Sequence, residues 1–315
     1  MKALVTGVAG FIGSHLTAAL LDKGATVVGV DCFTDYYPRP LKERNLEENR
    51  LREGFRFAET AIQNADLPAL LDGVTHVFHL AAQAGVRKSW GTDFKTYTTN
   101  NIEASQILLE ACAGRPLTRF VYASSSSVYG DRAAIPMRED ALPQPVSPYG
   151  VTKLAAEQLC HLYQVNYGVP TAAMRYFTVY GPRQRPDMAF NRFLRAALKD
   201  EAITLYGDGG QTRDFTFVAD AVAATIAAGE RGVPGRAYNI GGGSRVSMND
   251  VLAIIEGIAG HPLKVNREDA QKGDMRDTYA DTSLARKDLG FSPTVTLEEG
   301  IRAEYRWLAS SASLV

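Results

Sequence analysis

The chain has 315 residues, 45% hydrophobic and 22% charged, an ordinary globular composition that excludes a disordered chain. At ~150 residues per domain this length implies about two domains or one large one. Its 34 basic and 35 acidic residues leave a net charge of −1, so no bulk attraction to nucleic acid or an anionic membrane is expected.

No apolar run approaches the ~18–20 residues of a membrane span. The first residues run at once into Lys2-Ala3-Leu4-Val5-Thr6-Gly7, too short and too glycine-broken for a secretory core. Cys32, Cys112 and Cys160 lie far apart, are odd in number and form no CxxC pair. Neither a disulfide scaffold nor a structural zinc site is expected. The expectation is a soluble, cytoplasmic protein.

Strands are predicted over Ala3–Thr6, Thr26–Asp31, Arg56–Glu59, His76–Ala81, Phe120–Ala123 and Ala172–Tyr176. They are nearly unbroken apolar runs, as strands buried on both faces are. Helices are predicted between them over Phe11–Lys23, Leu67–Leu71, Asn100–Ala113 and Pro148–Tyr167, and the polar stretch Asp35–Arg50 reads as a loop running into a helix. Strict alternation implies right-handed crossovers and an α/β, Rossmann-type, doubly wound parallel sheet. After about residue 177 glycine- and proline-rich stretches separate short strands from three helices, near Val218–Arg231, Ser247–Ile258 and Leu297–Ala309. The expected division is a dinucleotide-binding domain over 1–177 and a smaller lobe over 178–315, with a segment around 214–242 returning to the first.

Gly7-Val8-Ala9-Gly10-Phe11-Ile12-Gly13 follows the first strand and opens the first helix. In that place Gly7 allows a tight turn, Gly10 lets backbone approach a pyrophosphate, and Gly13 permits close helix–strand contact. Asp31 ends the next strand, roughly twenty residues on, where a carboxylate accepts from the adenosine ribose hydroxyls. It would repel a 2′-phosphate, so NAD is favoured over NADP.

Tyr149 and Lys153 stand four apart at a helix start and share a face. Free tyrosine, with a pKa near ~10, is a poor base at neutral pH, and a nearby ammonium would favour its phenolate. Ser124-Ser125-Ser126-Ser127 follow the fifth strand, at the sheet end that lines a ligand crevice. A serine there can bond the same substrate oxygen as the tyrosine, while at least two of the four are expected to be turn or cap residues.

Together GxxGxxG, the acidic residue after the second strand, the serine-rich strand end and YxxxK resemble the extended short-chain dehydrogenase/reductase superfamily over nearly the whole chain. Tyr176-Phe177-Thr178-Val179-Tyr180-Gly181-Pro182, Gly207-Asp208-Gly209 with Arg213-Asp214-Phe215, and Tyr238-Asn239-Ile240-Gly241 resemble its NAD-dependent epimerase/dehydratase branch. That resemblance implies oxidation of a nucleotide sugar at C4, with Tyr149, Lys153 and Ser125 as catalytic residues. It implies cofactor contacts from Phe11, Ile12, Ile62, Leu80, Ala81, Ala82, Asn100 and Tyr176 beside those already named. Where the family's 4,6-dehydratases carry an Asp-Glu pair, this chain has Ser126-Ser127, so dehydration lacks its carboxylates.

The stretches Ala81–Arg87 and Arg185-Pro186-Asp187-Met188-Ala189 resemble the UDP-glucuronate 4-epimerases in particular. Arg185 could grip a C6 carboxylate with its bidentate fork, helped by Ser126, Ser127 and Thr178. Thr178 stands where relatives acting on neutral sugars carry Asn. Gln83, Val86, Arg87 and Tyr206 are implied as further substrate contacts, and Arg192, Arg213 and Arg276 suit a diphosphate. The uracil rests on resemblance alone, and no residue count separates it from thymidine or guanosine nucleotides. UDP-glucuronate decarboxylase and UDP-glucose 4-epimerase stay open as alternatives; a non-catalytic NAD-binding protein would be expected to lack Tyr149, Lys153 or Ser125.

Relatives carry an Asp-Ile pair where this chain has Ala61-Ile62, so one adenine contact is expected to be absent. His76 and His79 are expected on opposite faces of a strand, and His15, His161 and His261 lack carboxylates at ligand spacing, so no metal is assigned. A homodimer through Asn100–Ala113 and Pro148–Tyr167 is expected from the resemblance.

Overall fold

The computed structural model describes residues 1–310. Its strands are β1 Lys2–Thr6, β2 Thr26–Asp31, β3 Phe55–Glu59, β4 His76–His79, β5 Arg119–Ser125, β6 Thr171–Tyr176, β7 Thr178–Tyr180, β8 Ile203–Tyr206, β9 Thr212–Phe217, β10 Arg236–Ile240, β11 Arg245–Ser247 and β12 Val265–Glu268. Seven form one parallel sheet in the order β10-β6-β5-β4-β1-β2-β3. The chain runs outward from β1 to β3, then returns past β1 to β4. The order therefore reverses between β1 and β4, and a crevice opens beyond their carboxyl ends.

Both faces of this sheet are covered, as its apolar strands require: Ala3, Leu4 and Val5 are all fully buried. Ala3 and Val5 face one core with Leu16 and Leu20 of helix Phe11–Asp22 and Ala221, Ala224 and Ala228 of helix Val218–Arg231. Leu4 faces the other, with Leu108 and Leu109 of helix Ala104–Cys112 and Ala156 and Cys160 of helix Pro148–Tyr167. The fold is the α/β doubly wound sheet expected. A three-stranded sheet, β11-β9-β7, and a two-stranded one, β12-β8, enclose a third core built on Phe190, Phe193, Leu205, Phe215 and Val251.

Several boundaries differ from expectation. β4 ends at His79 because Ala81 leaves the ladder: its N–H donates to the Thr6 hydroxyl at 3.1 Å. Ser124 and Ser125 do not follow β5 but complete it, paired with Arg175 and Tyr176 of β6. The helix predicted from Asn100 begins at Phe94, passes through a π-helical stretch at Thr98–Glu103 and continues as Ala104–Cys112. The second half holds two further helices, Ala189–Lys199 and Ser283–Leu289. The first had a legible signal, since Phe190, Phe193, Leu194 and Ala197 recur at helical spacing and are all buried.

All three cysteines are free. Among the described residues no helix is long and apolar enough to cross a membrane. His79 is a core residue: its ring bridges the Thr6 and Ser105 hydroxyls at 2.7 and 2.9 Å, and burial lowers its pKa to about 3, so it stays neutral.

Candidate functional site

The reversal point opens into one continuous cavity of about 680 Å³. Gly7, Gly10, Phe11, Ile12 and Gly13 line one end. Gly7 has φ +72, and a Cβ there would lie 2.8 Å from the Ala81 nitrogen; one at Gly13 would lie 2.2 Å from the Gly7 carbonyl oxygen. Helix Phe11–Asp22 begins at Gly10 with no side-chain cap, leaving its first N–H groups for an anion. The cradle fits a dinucleotide pyrophosphate. Gly13→Ala should therefore lower the melting temperature and abolish dinucleotide binding together, read by thermal denaturation with and without the dinucleotide.

Asp31 sits beside this cradle. It accepts from the Ala9 N–H at 3.0 Å and the Phe33 N–H at 2.9 Å, and a carboxylate with about four acceptor positions can still take ribose hydroxyls. Burial pushes its pKa up, and these N–H donors and the Lys42 ammonium pull it down. Lys42 is itself buried, donating to the Thr34 carbonyl and hydroxyl, and was not signalled by the sequence. Ile62, Leu80, Ala81, Ala82, Asn100 and Tyr176 also line the cavity. The Tyr176 hydroxyl is shared with Thr225 at 2.6 Å, so its ring, not its oxygen, is on offer. Gln83 is fixed by Asn101, another residue missed by sequence reasoning: the Gln83 N–H donates to Asn101 Oδ1 at 2.7 Å, and Asn101 Nδ2 returns a bond to the Gln83 carbonyl at 3.0 Å.

At the centre, Ser147 caps helix Pro148–Tyr167 and places Tyr149 and Lys153 over the end of β5. Lys153 Nζ donates to the Ala123 carbonyl at 2.8 Å, and burial lowers its pKa to about 7. It lies 6.0 Å from the Tyr149 ring centre. The ammonium makes no hydrogen bond to the phenol and faces its ring across that distance. Burial raises the Tyr149 pKa, and what pulls it down is a hydrogen bond with Ser125 and the charge of Arg185. Ser124 is committed elsewhere, donating at 2.6 Å to Glu157, which is buried in an ion pair with Arg175. Ser125, Ser126, Ser127, Thr178 and Arg185 line the cavity with Tyr149.

Farther out, Gln83, Val86, Arg87, Arg192, Tyr206 and Arg213 line the remainder. The guanidinium carbons of Arg87 and Arg192 lie 4.2 and 5.8 Å from the Tyr206 ring centre. Arg87 pairs with Asp274 at 2.7 Å, and Arg213 donates to the Thr212 and Arg276 carbonyls at 2.9 Å. Arg276 corrects the sequence reading. Its side chain is 68% exposed, pairs with Asp208 at 3.4 Å and does not line the cavity; only its carbonyl serves the site, by holding Arg213. Among the described residues no group of three or more His, Cys, Asp or Glu could hold a metal.

A parallel doubly wound sheet with a pyrophosphate cradle at its reversal point and a Tyr–Ser–Lys centre facing it defines a dinucleotide-dependent oxidoreductase-type site. The chain belongs to the NAD dependent epimerase/dehydratase family, whose model matches residues 3–241. It is 45% identical over 312 residues to an uncharacterized UDP-glucose epimerase, YtcB, of Bacillus subtilis, covering 98% of each chain. A UDP-glucuronate 4-epimerase of Thermodesulfobacterium geofontis is 37% identical, with 99% of this chain and 97% of that protein covered. Among solved structures, the UDP-glucuronic acid 4-epimerase of Bacillus cereus in complex with UDP-glucuronic acid and NAD superposes with a TM-score of 0.96 at 47% identity, covering 98% of this chain and 99% of that one.

Proposed function

We propose that this protein is an NAD-dependent 4-epimerase that interconverts UDP-glucuronate and UDP-galacturonate. The observation that carries the reading is Arg185: a cation lines the same cavity as Tyr149, close enough that its charge acts on the phenol, and Ser126, Ser127 and Thr178 line that cavity too. A sugar with C4 at Tyr149 would place its C6 carboxylate at that cation.

Tyr149 takes the 4-hydroxyl proton, and Ser125 holds both the phenol and the sugar oxygen. NAD, when bound, supplies the hydride acceptor at C4 and gives the hydride back. Lys153, anchored on Ala123, lines the cavity between β5 and the cofactor cradle and holds the nicotinamide ribose. Arg87, Arg192 and Arg213 hold the diphosphate, so the keto sugar can turn about its phosphate link and present its other face. A 4-keto uronate is a β-keto acid, and Arg185 with the three hydroxyls restrains its carboxylate against loss as CO2.

Dehydration finds no support. The carboxylates lining the cavity are Asp31, Asp187 and Asp274; Asp31 accepts from the backbone, and Asp187 and Asp274 are paired with Arg185 and Arg87. A neutral-sugar epimerase would leave Arg185 without a substrate partner. The deciding experiment incubates the protein with NAD and UDP-glucuronate, separates the nucleotide sugars and traps CO2. UDP-galacturonate without CO2 is expected; a UDP-pentose with CO2 would mean a decarboxylase, and turnover of UDP-glucose alone would mean the neutral-sugar enzyme.

The division of labour that fits this chemistry is cofactor binding by 1–177, with 214–242 returning to it, and nucleotide-sugar binding by 178–315. The setting is the cytoplasm, where nucleotide sugars and NAD meet. The assembly is a homodimer through helix Pro148–Tyr167 and its neighbour. Val151, Leu162 and Val165 stand 46–62% exposed on one side of that helix, an apolar face that pairing would cover. Sedimentation should give a dimer mass, and Val165→Asp should return the monomer.

A further inference from the structure

The fork of Arg185 already has a partner. Its Nε and Nη2 each donate at 3.0 Å to the two oxygens of Asp187, a bidentate pair. Tyr36, from the loop after β2, donates its hydroxyl to Asp187 Oδ2 at 3.2 Å, 151 residues away in sequence. A guanidinium has five N–H donors, and the pair spends two of them, leaving three for a ligand. Building on the uronate reading above, we propose that Asp187, held by Tyr36, is a positioning residue that fixes the Arg185 guanidinium in the one orientation that restrains the substrate carboxylate.

The arrangement is built rather than incidental. Gly85 has φ +100, and a Cβ there would lie 2.2 Å from the Tyr36 hydroxyl oxygen, so the absence of a side chain at 85 is what lets the hydroxyl reach Asp187. Lys88 Nζ and the Arg185 guanidinium carbon lie 5.1 and 5.8 Å from the Tyr36 ring centre and add cation–π contacts to it. The backbone around Asp187 has other supports than its carboxylate. Gln184 accepts from the Asn191 N–H at 3.0 Å, and Asn191 Nδ2 donates to the Gln184 carbonyl at 2.8 Å. The Asp187 side chain is 35% exposed, and a partly exposed pair contributes little to stability. Its consequence is geometric: an arginine free to swing would still attract a carboxylate but would not hold it in one plane.

That plane decides the product. Loss of CO2 from a 4-keto uronate breaks the C5–C6 bond and sends its electron pair into the C4 carbonyl as an enolate. A water proton then adds at C5, leaving UDP-4-keto-pentose and CO2. The step requires the C5–C6 bond to stand perpendicular to the carbonyl plane, and a fixed guanidinium keeps the carboxylate from reaching that position.

The test measures CO2 released per UDP-galacturonate formed, using UDP-glucuronate labelled at C6, for the wild type, Asp187→Asn and Tyr36→Phe. Asp187→Asn, which keeps the shape and removes the charge, should raise that ratio to at least about tenfold above the detection floor at which the wild type stays. Tyr36→Phe should raise it by a smaller factor, and both should shift the melting temperature by less than about 2 °C. A ratio unchanged in both variants, with the wild type epimerising normally, overturns the proposal and leaves the epimerase reading intact. A wild type that forms no UDP-galacturonate overturns both. Should Asp187→Asn fail to fold, its loop depends on the carboxylate after all, and the ratio in Tyr36→Phe decides alone.

Discussion

Replacing Tyr149 by phenylalanine should lower kcat by about 10³-fold while NAD and nucleotide-sugar affinities stay within about threefold of the wild type. No other proton acceptor stands ready: no histidine lines the cavity, and its carboxylates lie at Asp31, Asp187 and Asp274. The ring would remain in place, edge-on to Tyr97 at 6.3 Å between centres, so only the hydroxyl is lost. Burial holds the phenol above its usual value in the protein alone, so it starts protonated at neutral pH. Activity should rise with pH as the phenolate becomes accessible, and that rise should vanish in the variant. Steady-state kinetics with calorimetric binding would show it, and residual kcat above a tenth of wild type would remove Tyr149 from the proton step.

The parts of this molecule legible in its sequence are those set by local pattern. Ala3-Leu4-Val5 read as a doubly buried strand because burial on both faces leaves no polar alternation, and all three residues are fully buried. The glycine cradle was legible because its tight turn is local: Gly7 has a positive φ, and Gly13 packs against the Gly7 carbonyl. What stayed hidden depends on contacts across long separations. Asp187 lies in a stretch marked by family resemblance, but nothing local says that its carboxylate holds Arg185 or meets Tyr36. Lys42 lies in a polar helix, and nothing in its neighbours announces that it turns inward toward Asp31. One reading failed for the opposite reason, that local pattern suggested more than the fold delivers. Arg276 lies in a segment resembling a nucleotide-binding stretch, yet its side chain points out to Asp208.

Arg185→Ala should raise KM for UDP-glucuronate by about 30-fold, the equivalent of about 2 kcal/mol for charge-assisted hydrogen bonds, and leave turnover of UDP-glucose within about threefold. The asymmetry arises because only the uronate offers a carboxylate to the guanidinium. A second effect follows on pH. Arg185 stabilises the Tyr149 phenolate, so its removal raises the phenol pKa; Asp187, left without its partner, adds negative charge nearby and pushes the same way. The acid limb of kcat should therefore move to higher pH for both substrates. Arg185→Lys separates the two effects. It restores a cation and should return the pH limb toward the wild-type position, while a compact ammonium lacks the planar fork and should recover only part of the uronate affinity. An equal rise in KM for both sugars would place Arg185 at the diphosphate instead of C6, and an unmoved acid limb would mean that its charge does not reach the phenol once substrate is bound.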